Sequence, residues 1–209
     1  MSLPVAVALA WLLSRASFPG KSLLDALVHL PLVLPPVVVG YFLLLALGRR
    51  GPIGALLDQY LGVSFAFRWT GAALASAVMG LPLLVRAVRQ SLDAVDRGLE
   101  DAAATLGASP SWVFATVTLP LIFPGVVTGV LLAFARSLGE FGATITFVSN
   151  IPGETQTLPL AIYAFTQVPG GDAQALRLCI VAILLSLGAL MASEALLRRA
   201  NVRAAGRDA

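Results

Sequence analysis

The chain has 209 residues, of which 58% are hydrophobic and 12% charged; with a mean hydropathy of +0.88 it is too apolar for a soluble domain, which is roughly 25% charged. The net charge of +3 comes from Lys and Arg placed mostly at the ends of hydrophobic segments, a topology signal and not a phosphate-tracking patch, so nucleic acid is excluded as a partner and an integral membrane protein in contact with lipid is expected. One His and one Cys leave no internal disulfide and no His/Cys zinc cluster, and no carboxylate pair is spaced for acid/base work; no metal, cofactor or catalysis is expected within this chain.

Residues 1–13 are apolar, but as a helix they cover about 20 Å of a hydrocarbon core of ~30 Å. The first charge, Arg15, follows this run, whereas a signal peptide carries its charge before it. The segment is therefore expected to be the inner half of a first span. Gly20-Lys21-Ser22 ends like a phosphate-binding loop, yet the first glycine of that motif would fall at Arg15 and no strand precedes it, so the chain is not itself an ATPase. Leu23 to Leu47 contains Pro31, Pro35 and Pro36, which predict one kinked span in the bundle interior. His29 within it is expected to hydrogen-bond to a neighbouring helix. Gly48 to Arg68 reads as a connecting loop. A third span runs from Trp69 to about Val88, with Trp at one interface and Arg86 and Arg89 at the other.

The segment 90–118 is the longest polar stretch. Leu92, Val95, Leu99, Ala103 and Leu106 are spaced three or four apart, with Asp93, Asp96, Arg97, Glu100 and Asp101 mainly between them, which predicts one amphipathic helix. Gly107 stands where a helix takes a left-handed C-terminal residue, and Ser109-Pro110 reads as an N-cap followed by proline at the first helical position. Two short helices about a glycine turn make a knob suited to a partner's groove.

The next span, Leu119 to Leu138, carries Gly125 and Gly129, a small-residue pair that lets another helix approach. Arg136 and Glu140 are four residues apart and can pair on one helix face; at membrane depth such charges face a bundle interior or a cavity, which makes them a candidate transport-path site. Thr144 and Thr146, with Ser149, Asn150, Thr155 and Thr157, supply neutral hydrogen-bond donors. A turn-rich stretch, a short apolar piece Leu160 to Phe165, and a last span Leu176 to Leu197 follow. The expected architecture is an all-α membrane bundle of about five spans forming one domain, 1–199, with a short tail, 200–209. With the N-terminus outside, Arg15, Lys21, Arg86, Arg89, Arg97, Arg198, Arg199, Arg203 and Arg207 fall inside, against Arg49, Arg50 and Arg68 outside. This orientation puts the knob in the cytoplasm.

The run Asp101-Ala102-Ala103, Gly107 and Val117-Thr118-Leu119-Pro120 resembles the loop by which ABC importer permeases dock on their ATPase. Asp101 stands where Glu is usual and Val117 where Ile is usual. The segments Leu30 to Gly40 and Phe134 to Thr144 extend the likeness to bacterial molybdate permeases. That resemblance implies a type I importer-like bundle in the bacterial cytoplasmic membrane, a homodimer with its path at the two-fold interface, two ATPase subunits carrying ATP and Mg, and a periplasmic oxyanion-binding protein. It implies a docking loop of Glu100, Asp101, Ala102, Ala103, Gly107, Ala108, Ser109, Pro110, Leu119 and Pro120. Sulfate and tungstate permeases are the near alternatives. A secondary transporter, which would show inverted repeats, and a redox anchor, which would carry axial His pairs, are distant ones.

Overall fold

The computed structural model describes residues 2–205, all of whose regular structure is helical. Residues 206–209, with Arg207, lie outside the described residues, as do the side chains of Arg198, Arg199 and Arg203.

Helix α1 (Ser2–Arg15) buries Ala6, Ala10 and Leu13, one stripe at helical spacing. That stripe joins Val28 of α2 (Lys21–Val33), Leu84, Val85, Val88 and Leu92 of α5 (Trp69–Ala94), and Ile122 and Val126 of α8 (Leu119–Leu138) in one apolar cluster. A second cluster gathers Val39 of α3 (Pro36–Leu47), Ala72, Ala75 and Met79 of α5, and Ala143, Phe147 and Val148 of α9 (Gly142–Val148). Helix α5 therefore runs through both and is the axis of the bundle. Between apolar helices in lipid, close fit rather than water exclusion supplies the attraction. The Gly125 and Gly129 pair provides it: a Cβ at Gly129 would lie 2.8 Å from Leu84 Cδ1 and 3.1 Å from Ala87 Cβ, and one at Gly125 would strike Ser91 Oγ.

The span expected over Leu23–Leu47 is broken rather than kinked. Pro31 is accommodated inside α2, but Leu34 and Pro35 leave helical geometry, and α2 and α3 meet at 117°. Two adjacent prolines remove consecutive donors and force the preceding residue out of the helical region, which is more than a kink can absorb. Of the five apolar segments expected, three are long enough to cross a membrane as single helices: Trp69–Ala94, Pro110–Leu138 and the Asp172–Ala192 part of α11 (Asp172–Ala205). The bent pair makes a fourth crossing if counted as one span. Helix α1, at 14 residues, is too short alone. The stretch read as a loop, Gly48 to Arg68, contains α4 (Pro52–Leu61), opened by proline at its first turn and closed by Gly62 at φ 63°. Helix α10 (Leu158–Thr166) accounts for the short apolar piece, and α11 continues helical through Ala205.

Candidate functional site

The stretch Leu92 to Leu106, expected as one amphipathic helix, is broken in two. Helix α5 ends at Ala94, Asp96 caps a new helix, α6 (Arg97–Thr105), and its carboxylate accepts from the Gly98 N–H at 2.9 Å. Asp96 takes over there because a carboxylate at an N-cap satisfies a backbone donor that the continuing helix would otherwise use. At the other end, Ala108 N–H donates to Ala103 O (3.2 Å) and Gly107 N–H to Ala104 O (3.0 Å), with Gly107 at φ 85°. This paired closure is a Schellman turn, and it needs the left-handed residue the sequence supplies. Ser109 then precedes α7 (Pro110–Val113), which passes through a π-turn, Phe114–Thr118, directly into α8. The second short helix is thus the end of a span.

At the tip, Leu106 is 89% exposed and Trp112 56% exposed. Together with Ala103, Gly107, Ala108 and Ser109 they line an open groove of about 500 Å³. Asp101, Ala102, Pro110, Leu119 and Pro120 are also exposed. Glu100 is turned the other way. Its Oε2 lies 3.0 Å from Arg15 Nη2, and its Oε1 accepts from Thr118 Oγ1 at 2.6 Å. Neighbouring acids on a helix point about 100° apart, so Asp101 faces outward while Glu100 faces the bundle.

Beside this lies a second polar cluster. Arg89 Nη1 donates to Asp25 Oδ1 at 2.9 Å, His29 Nδ1 donates to the Asp25 carbonyl at 2.8 Å, and Ser14 donates to Asp93. His29, expected to bond between helices, bonds within its own. Sequence reasoning missed Arg15, Asp25, Arg89 and Thr118 as partners. Arg15 and Glu100, or Asp25 and Arg89, are too far apart in the chain for any local spacing rule to join them.

At the other end of α8, in and just beyond its last turn, Arg136 Nη1 lies 2.7 Å from Glu140 Oε2. The pair does not share a helix face, because α8 stops at Leu138 and Glu140 sits in the break before α9. Glu140 is 1% exposed, and its Oε1 accepts the Ala143 N–H at 2.8 Å. It closes the first turn of α9 while holding the last turn of α8. Thr144 Oγ1 donates to Phe141 O at 2.9 Å, and Thr146 Oγ1 to Gly142 O at 2.9 Å, so both hydroxyl protons are used by the chain's own carbonyls. Arg136, with a side chain 28% exposed, and the half-buried Thr146 are the accessible members of this group, while Glu140 and Thr144 are buried. Among the described residues no cluster of three His, Cys, Asp or Glu could hold a metal ion.

Residues 2–202 match the family described as the binding-protein-dependent transport system inner membrane component. The chain belongs to this family. Among members of this inner-membrane permease family, the chain is 60% identical over 203 residues to the molybdenum transport system permease protein ModB of Escherichia coli K12, covering 97% of this chain and 89% of that one. It is 62% identical over 198 residues to ModB of Haemophilus influenzae, covering 95% and 86%. The sulfate transport system permease protein CysW of Synechococcus elongatus is more distant, 42% identical over 156 residues, covering 75% and 54%. The bundle also superposes on a subunit of the inward-facing MetNI methionine ABC transporter with a TM-score of 0.70 at 17% identity, covering 96% of this chain and 86% of that one. This last likeness carries the permease fold alone.

Proposed function

We propose that this permease is the membrane subunit of an ATP-driven importer for molybdate or a closely similar tetrahedral oxyanion, acting as a homodimer with two ATPase subunits and a binding protein. The observation that carries the reading is the turn between α6 and α7. It presents Leu106 and Trp112 to solvent beside an open groove, on a segment joined without interruption to α8. Exposed aromatic and aliphatic anchors around a groove are what a protein partner buries. Hydrolysis then takes place on that partner, and this chain converts its movement into rearrangement of the spans.

Identity to molybdenum permeases over nearly the whole chain supports the substrate class, and the lower identity to a sulfate permease makes sulfate the second reading. Along the path we assign Arg136 the electrostatic role, with Glu140 fixing its guanidinium and limiting the positive charge offered to a dianion. An anion is then attracted without being held as it would be by an unpaired buried Arg. Thr144 and Thr146 brace α9 in this arrangement.

The test is reconstitution of the permease with its ATPase and binding protein in proteoliposomes. ATP-dependent molybdate uptake competed by tungstate and not by equimolar sulfate is expected. Sulfate uptake without molybdate uptake would overturn the substrate reading, and failure of an ATPase to co-purify would overturn the docking reading.

A further inference from the structure

Helix α6 buries no side chain of its own. It leaves α5 through non-helical residues at Val95 and Asp96, and its far end is the left-handed turn at Gly107. No buried side chain of its own therefore fixes its angle to the bundle; besides the capped start and the Schellman closure it lies against α7 and the π-turn. One carboxylate ties it by side chain to the ends of the spans. Glu100 Oε2 meets Arg15, the last residue of α1, and Glu100 Oε1 meets Thr118, the last residue of the π-turn from which α8 continues. Thr118 is 2% exposed, and the Arg15 and Glu100 side chains are 12% and 21% exposed, so the tie is largely withdrawn from water and little screened by salt. The π-turn is itself a rare helical register, found mostly as single turns inside α-helices and frequently at functional sites.

We propose that Glu100 is a positioning residue for transport: it ties α6 to the ends of α1 and α8 at one point, so that displacement of the docking turn reaches both helices together. The proposal rests on the reading that an ATPase docks on this turn. Asp101, one residue on, is exposed and belongs to the docking face; Glu100 belongs to the transmission. Without the tie, movement of the docking turn still reaches α8 through α7 but leaves α1 and the inner end of α6 out of step with it, and more ATP is spent per molybdate moved.

The experiment uses the full complex in proteoliposomes, with molybdate as substrate and ATP turnover measured in the same vesicles. Glu100→Gln and Arg15→Gln are expected to keep the ATPase bound and hydrolysing while uptake per ATP falls roughly tenfold, within the range that coupling between sites commonly spans. Arg15→Lys is expected to stay near the parent, and the exchange Arg15→Glu with Glu100→Arg to recover part of the loss, as a double-mutant cycle of a direct pair requires. Single variants with the parent's uptake per ATP, or an exchange no better than the singles, would overturn the proposal. Loss of the ATPase from the single variants would also overturn it, since the carboxylate would then serve docking. The docking reading is tested apart, by Leu106→Asp and Trp112→Asp, which leave the tie untouched. Should Glu100→Gln fail to fold as a permease, Thr118→Val against Thr118→Ser reads the same tie with no charge altered: Val is expected to lower uptake per ATP and Ser to preserve it, and equal ratios would overturn the proposal.

Discussion

At Gly107 the backbone stands at φ 85°, and a Cβ added there meets no atom of this chain within 4 Å. Within the chain a side chain there would not hold the two short helices apart, and the cost of substitution is the left-handed backbone alone. Gly107→Ala should cost about 1 kcal/mol in stability, Gly107→Val somewhat more, and Gly107→Asn little, because Asn tolerates this region. Thermal unfolding of the purified permease checks that order. Because no neighbour within the chain is struck, any larger loss in ATPase co-purification by Gly107→Val measures contact with the partner. Glu140 supports a different prediction. Glu140→Gln keeps an acceptor for the Ala143 N–H but removes the charge that balances Arg136, so the dimer should assemble and molybdate uptake should fall. Uptake at the parent's rate in an assembled dimer would make the pair a brace of the α8–α9 break and no part of the path. Gly107 and Pro110 were legible from the sequence because each requirement is local, a sign of φ and a first-turn proline; Ser109 holds the N-cap position, but its hydroxyl lies 3.3 Å from Ser111 Oγ and caps no backbone N–H. The partners of Glu100 were not legible, because Arg15 is brought to it only by the packing of α1 on α5.

Among the elements, the segment from α6 to α8 carries the docking prediction. Trp112→Ala and Leu106→Asp remove the large exposed anchors while leaving Asp96, Gly107 and the Schellman closure intact, and each should weaken ATPase binding by ~2 kcal/mol or more, as for interface hot spots. Titration of the ATPase against the permease in detergent measures it; undiminished affinity in both variants would move the docking surface elsewhere. Here the apolar periodicity misled. Leu92, Val95 and Leu99 keep helical spacing straight through the break at Asp96, and the cap residue, not the spacing, marks the boundary. The same holds for α4. Its stretch looked like a connection, yet Gly51-Pro52 at its start and Gly62 at its end are helix start and stop signals. At Pro35-Pro36 the sequence indicated where the chain bends; the 117° angle, with α3 lying against α9, was beyond any local rule.

For the whole molecule, apolar content and segment spacing were enough to read a helical membrane bundle, and the order of its apolar segments was recovered. How many of them cross was not, since α1 is short, α2 and α3 diverge, and α9 and α10 are too brief to span. Orientation is open to direct test. In a chain whose Cys179 has been replaced by Ser, a Cys at Ser109 should be modified by an impermeant reagent only after the inner side is exposed, and a Cys at Arg50 from outside without it. Labelling of the Ser109 position in intact cells would reverse the bundle and remove the cytoplasmic docking argument with it.

The π-turn at Phe114–Thr118 also makes the length of the chain locally forgiving. A π-turn holds one residue more than the α-turn it replaces, so a chain missing one residue there can rewind as plain α-helix with both flanks in nearly the same phase. Within Leu119–Leu138 no such slack exists. Losing one residue turns everything on one side of the gap by about 100°, and Gly125 and Gly129 can no longer meet Ala87 and Leu84 on the same face as the rest of α8. Deleting the exposed Ala115 should therefore leave a folded permease that still presents Trp112 to its partner, while deleting Leu131 should not. Co-purification of the ATPase with each deletion measures the difference, and sensitivity at Ala115 equal to that at Leu131 would show that the extra residue is required in its own right.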